Sequence, residues 1–166
     1  MIPDAATLER IRRSGIRIDR EGRFVHEGAE VLHEGLRRAL FRWLDEEPDG
    51  RVVLRLDERR FAYVDVDDTP LVVRAARLDG TGEGERVLLA LTDGSEEALD
   101  PATITVDGEG ILRARVRGGR LWARLGTAAV AALAERLSEE GGRPALSLAG
   151  RRLPLAGAPP RPAASR

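Results

Sequence analysis

Two stretches of this chain carry the same order of signals. Residues 36–64 read LRRALFRWLDEEPDGRVVLRLDERRFAYV, and residues 129–155 read AVAALAERLSEEGGRPALSLAGRRLPL. Leu40 and Leu44 align with Leu133 and Leu137, Glu46-Glu47 with Glu139-Glu140, and Gly50-Arg51 with Gly142-Arg143. Leu54 and Leu56 then match Leu146 and Leu148, and Arg59-Arg60 matches Arg151-Arg152. Each stretch reads as a helix, Glu-Glu, Gly-Arg, a strand, a tight turn and a strand. Each follows an acidic, glycine-containing turn, DREG at 19–22 and DGEG at 107–110. One helix on a small sheet buries little apolar area, so two such units sharing a core is the stable solution. The expected fold is therefore α+β, with two small repeated halves. Each half is a mostly antiparallel sheet carrying one main helix, and an N-terminal helix precedes them.

Local patterns set the boundaries. Asp4 is a suitable N-cap and Gly15 a suitable stop for a helix over 1–14. The first half runs over 15–80 and the second over 81–155. Residues 156–166, AGAPPRPAASR, form a Pro/Ala-rich tail with little to bury, expected to be disordered. Ile16, Ile18, Phe24 and Val25 flank the turn Asp19–Gly22, with Gly22 in the left-handed position. Leucines at 32, 36, 40 and 44, with Ala39 and Trp43, predict a helix over 31–46. Further hairpins are expected at 52–66, 71–92, 104–116 and 145–155. An Ala-rich helix is expected over 127–137, with Thr127 at its N-cap.

Composition narrows the function classes. The chain has 166 residues, 27 basic and 28 acidic side chains and a formal net charge of −1. The charges are interspersed, and every basic one is arginine. A nucleic-acid binder shows a basic stripe, so no nucleic-acid partner is expected. There is no cysteine, which excludes disulfides and thiolate chemistry. No apolar run approaches the ~18 residues of a membrane helix, and no apolar signal core opens the chain. A cytoplasmic protein without a membrane partner is expected.

IRIDREGRFVHEGAEV, a Leu-rich helix, DGRVVLRL and VDVDDTPLVV together resemble the bacterial DUF1285 family. That family has a segment of the form I-x-I-x-x-x-G-x-W/F-x-H-E-G, then a helix, a hairpin and an acidic turn before proline. Here the later family-like segments are Asp67-Asp68-Thr69-Pro70, Val116-Arg117-Gly118-Gly119 and Leu153-Pro154-Leu155. The chain departs from the family at Leu56-Asp57-Glu58-Arg59-Arg60 and at Leu71, as a divergent member would. The resemblance implies a two-part α+β fold with an internal repeat and implies no reaction.

The only two histidines sit in FVHEGAEVLHEG, seven positions apart. A zinc-protease helix needs them four apart on one face, and Gly28 stands between them, so the second His-Glu-Gly reads as coincidence. His26 with Glu27 either exchanges protons or holds a ligand, or it packs against its turn. Asp65, Asp67 and Asp68 form an acidic run that fits a salt-bridged turn as well as a hard cation. GTGEG at 80–84 has no Gly-Lys-Ser/Thr and precedes a strand, so it reads as a hairpin tip. No Gly-x-Ser-x-Gly elbow occurs. No catalytic set, metal site or cofactor is assigned. The leading expectation is a non-enzymatic small-ligand-binding or regulatory and signalling module. Its site would lie between the two halves and be lined by His26, Glu27, Asp68 and Arg117. The alternatives are a homo-oligomeric protein-interaction module, forming a homodimer through exposed sheet edges, and a metal-dependent hydrolase.

Overall fold

The computed structural model describes residues 12–157. Among these residues strands dominate, in three sheets of six, seven and three strands, with two α-helices. The chain divides into two compact units between Pro70 and Leu71, ten residues before the expected boundary. The expected N-terminal helix lies outside the described residues except at its end. There Arg13 and Ser14 already belong to a strand.

The first unit contains β1 (Arg13–Ile18), β2 (Phe24–His26), β3 (Ala29–Glu30), α1 (Glu34–Trp43), β4 (Leu44–Glu46), β5 (Val52–Arg55) and β6 (Phe61–Val66). Its sheet runs β3-β2-β1-β6-β5-β4. Every pairing is antiparallel except β1 with β6. Gly15 has φ +68 and lies where the β1–β6 register shifts. It makes a β-bulge, not a helix stop. Ser14 fixes the bulge: its hydroxyl donates to the Tyr63 carbonyl at 2.6 Å and accepts from the Ile16 amide.

Ile18, Phe24, Leu54 and Leu44 are buried at register positions on one sheet face. Phe41 of α1 meets Phe24 edge-on at 4.7 Å. The leucine stripe splits, however. Leu40 is buried in the helix and Leu44 in β4, while Leu32 and Leu36 are exposed. Leu40, Trp43 and Leu44 suit helical period, while Leu44 and Glu46 suit strand period. No breaker separates α1 from β4, so the expected helix over 31–46 overran at both ends.

The second unit contains β7 (Leu71–Asp79), β8 (Arg86–Leu91), β9 (Glu96–Ala98), β10 (Thr105–Val106), β11 (Leu112–Val116) and β12 (Leu121–Leu125). Then come α2 (Thr127–Leu133), β13 (Leu137–Glu140), β14 (Arg143–Leu148), β15 (Arg151–Pro154) and β16 (Ala156–Gly157). One sheet runs β16-β10-β11-β12-β7-β8-β9 and another β13-β14-β15. α2 lies against β7. Gly126 allows this approach: its amide donates to the Val73 carbonyl at 2.9 Å, and a Cβ there would stand 2.9 Å from that same oxygen. Gly126, not Thr127, is the N-cap, and Leu137 is strand, not helix. Ala156 and Gly157 pair in parallel with β10, so the start of the expected tail is ordered. The rest of that tail lies outside the described residues.

Arginine and aspartate fix the turns. Asp19 Oδ1 accepts from the amides of Glu21 and Arg23, and Oδ2 accepts from Arg23 Nε at 2.8 Å. Burial alone would raise the Asp19 carboxyl, but the hydrogen bonds from Arg23 outweigh it and hold it below its ordinary value. Asp107 does the same with the amides of Glu109 and Ile111 and with Arg113 Nη1 at 2.7 Å. Gly22 and Gly110 close the two turns at φ +78 and +79. Asp49 with Arg51 and Asp57 with Arg60 build smaller versions. The guanidinium fork suits this use because it satisfies a carboxylate oxygen whose partner already caps the backbone.

Candidate functional site

His26 ends β2 and pairs across the sheet with Ile16 on one side and Ala29 on the other. It is exposed, and its imidazole lies against Gly15. Glu27 and Gly28 form the two-residue loop to β3, with φ +50 and +82. Positive φ at both central positions defines a type I′ turn, whose first position favours Asn, Asp or Gly. Glutamate there is strained by about 1 kcal/mol. Among the described residues the turn ends at a short sheet edge, because β3 is the last strand of its sheet.

Beyond β3 the chain runs through Leu32, 72% exposed, to His33. His33 caps α1: its Nδ1 accepts from the Leu36 amide at 3.1 Å. Histidine is an uncommon cap, but any acceptor at this position satisfies an otherwise orphan helix amide. This accounts structurally for the second His-Glu-Gly. Leu36, one turn on, is 44% exposed. His26, Glu27, the β3 edge, Leu32 and Leu36 are thus consecutive parts of one exposed stretch.

The other two expected residues lie elsewhere. Within the first unit, β1 serves as a ruler. His26 lies beside Ile16, while Val66 lies beside Ile18 and Asp68 is two residues further. Four residues along the strand and two strands across put His26 and Asp68 about 16 Å apart. The neighbouring Asp67 accepts from Arg17 at 2.8 Å. Arg117, in the second unit, opens the turn between β11 and β12 with φ +52. Its Nη2 donates to Asp93 Oδ2 at 2.6 Å, and its amide donates to the Glu97 carboxylate at 2.9 Å. Burial pushes the Asp93 carboxyl up, but hydrogen bonds from the Ser95 hydroxyl and Arg117 guanidinium hold it below its ordinary value. Arg117 therefore ties the β11–β12 turn to the β8–β9 turn. Among the described residues, no group of three or more His, Asp or Glu side chains is placed to hold a metal ion. No helix of the described residues is long and apolar enough to cross a membrane.

A DUF1285 family protein from Silicibacter pomeroyi DSS-3 matches with TM-score 0.71 at 20% identity, covering 87% of this chain and 81% of that chain. The chain has the DUF1285 fold. A second DUF1285 family protein, from Shewanella baltica OS155, matches with TM-score 0.54 at 16% identity, covering 69% of this chain and 85% of that one. No protein-family model and no curated protein matches the sequence. The resemblance read from the His-Glu-Gly segment thus has its counterpart in three dimensions.

Sequence reasoning missed one cluster in this DUF1285-fold chain. On the sheet face carrying Phe61 and Tyr63, Arg12 lies 4.2 Å over Phe61 and Arg51 lies 4.2 Å over Tyr63. Arg55 approaches Phe61 at 5.1 Å and pairs with Asp45 and Glu47. The signal was present: Phe61 and Tyr63 alternate on β6, opposite Arg55 and Val53 of β5. Each guanidinium is stacked on an aromatic ring, an attraction of about 0.5–1 kcal/mol per pair at such sites. This cluster accounts for two of the six aromatics of the chain. It knits β5 and β6 together.

Proposed function

We propose that this chain is a non-enzymatic binding or regulatory module that engages its partner through the β2–β3 hairpin and the start of α1. One observation carries the reading. Leu32 and Leu36 are exposed four residues apart, beside the exposed His26-Glu27 turn and a strand edge that is unpaired among the described residues. An apolar centre with a polar rim is the anatomy of a recognition surface. The interspersed charge and net −1 favour a protein or small organic partner over nucleic acid or a membrane surface. Arg117 is assigned to holding turns, and Asp68, about 16 Å from His26, lies outside this surface.

We also read the two halves as repeats of one unit. Support comes from the shared element order, strand–strand–strand–helix–strand–strand–strand, and from the matching bonds of Asp19 and Asp107.

Native mass spectrometry of the full chain tests the functional reading, comparing wild type with Leu32→Ser/Leu36→Ser. Both side chains are exposed, so the variant folds. A bound species retained by wild type and lost from the variant supports the surface. A species held equally by both, or a bare mass in both, overturns it. A dimer lost in the variant would favour the second reading, a homo-oligomer through the same free edge.

A further inference from the structure

α1 is capped by a histidine, the residue type whose charge changes between about pH 5 and 8. His33 accepts the Leu36 amide at Nδ1, 3.1 Å away, and an accepting Nδ1 requires a neutral ring with its proton on Nε2. Gly35 makes room for this cap: a Cβ there would stand 3.2 Å from His33 Cε1 and 3.5 Å from Nδ1. The ring thus lies over the first turn, in space that a side chain at position 35 would crowd. We infer that His33 makes the first turn of α1 a pH switch, closed while its imidazole is neutral and released when it is protonated. The switch governs where Leu36 stands. Its effect on binding rests on the recognition surface proposed above, whereas the release of the turn belongs to the chain alone.

Protonation acts on the turn in two ways. It puts an N–H where the Leu36 N–H already points, so the acceptor becomes a second donor. It also sets a positive charge at the positive end of the helix dipole. A serine, threonine or asparagine cap would keep its acceptor over the same range. Little else holds the turn closed. Gly35 lies within it, and glycine is the weakest helix former after proline. Leu36 is exposed, so burial does not anchor it. The Glu34–Arg38 pair is exposed at both ends and contributes little.

The surrounding charges do not compensate an imidazolium at this position. His33 is exposed, and among the described residues its side chain makes no hydrogen bond or ion pair beyond the cap. The neighbouring carboxylates are engaged elsewhere, Glu34 by Arg38 at 2.6 Å and Glu30 of β3 by Arg23 at 3.9 Å. Arg37, in the same turn, adds a positive charge that opposes a second one. On β5, against which α1 packs, Arg55 is held by Asp45 and Glu47. On β2, His26 lies against Gly15. It is the only other histidine of the chain, so a response in this pH range has two possible sources and a variant separates them.

The test follows the full-length, isotope-labelled chain by NMR from pH 8 to pH 5, with no partner added. The Leu36 amide shift should titrate together with the His33 ring signals. Protection of the Leu36 amide against hydrogen exchange, taken relative to the intrinsic rate at each pH, should fall about fivefold, the weight of one N-cap. His33→Ser, whose hydroxyl accepts without titrating, should keep its protection over the whole range. His33→Ala should show the low value at every pH. A Leu36 amide that stays constant while the His33 ring titrates overturns the inference. So does an equal loss of protection in His33→Ser, or a response that His26→Gln abolishes. Failure of the switch leaves the Leu32 and Leu36 surface standing. A turn that releases in a chain whose wild type and leucine variant both give a bare mass keeps the switch and overturns the surface.

Discussion

Replacing Asp107 by asparagine should remove one charge and little else. The amide oxygen can still accept from the Glu109 and Ile111 amides, so the turn keeps its backbone caps. What disappears is the anionic partner of Arg113, whose side chain is only 8% exposed. The hydrogen bond from Arg113, then that from the Ile111 amide, lowers the Asp107 carboxyl from an ordinary 3.8 to about 2. At about 1.4 kcal/mol per tenfold change in proton affinity, that is at most about 2.4 kcal/mol. The Asp107 side chain is 20% exposed, and solvent screening reduces the figure to about 1.5 kcal/mol.

Because the folded-state value is depressed, the contribution is complete well above pH 4 and is lost as pH falls toward 2. About half is gone by pH 3. Urea unfolding of wild type, Asp107→Asn, Arg113→Met and the double variant gives the coupling directly. The expected result is a loss of about 1.5 kcal/mol in Asp107→Asn at pH 7, a narrower gap at pH 3, and non-additivity in the double variant. A gap that does not change with pH, or additive losses, would refute the assignment of this stabilisation to the Asp107–Arg113 pair.

Other predictions follow from the same geometry. Gly126→Ala forces a Cβ against the Val73 carbonyl and should cost about 1–3 kcal/mol, read as a lower urea midpoint with unchanged slope; a neutral result would mean α2 moves freely from β7. Glu27→Asn relieves a left-handed glutamate and should stabilise by about 0.5–1 kcal/mol, while altering partner binding if the carboxylate is part of the recognition surface; a calorimetric melting temperature below wild type would contradict this. His33→Ala removes the N-cap of α1 and should cost about 0.5–1 kcal/mol, a loss of melting temperature that His33→Ser recovers.

The turns were the most legible part of the sequence. An aspartate followed three residues later by glycine fixes its own hairpin through short-range bonds, so Asp19–Gly22 and Asp107–Gly110 fall where local chemistry puts them. Helix ends were not legible. Leu44 and Leu137 continue a helical stripe in sequence, yet both are strand, because burial in a sheet satisfies them equally and no glycine or proline intervenes. The candidate site divides in the same way. His26 and Glu27 were recognisable as a strand end before a glycine. The separation of Asp68 from them depends on parallel pairing of β1 with β6, about fifty residues apart, and no local pattern encodes that. Leu32 and Leu36 matched the buried stripe by spacing, but the helix starts only at Glu34 and its buried face only at Leu40, which leaves them outside.

The parallel pairing of β1 with β6 has a consequence during synthesis. The six-stranded sheet is complete once residue 66 is available, since both neighbours of β1 are then present. The seven-stranded sheet must wait: β7 needs β12, and β10 needs β16 at residues 156–157. On a ribosome the first unit can therefore settle while the second is still being translated. In that interval β7, rich in leucine, valine and alanine, has emerged without its long-range neighbour β12.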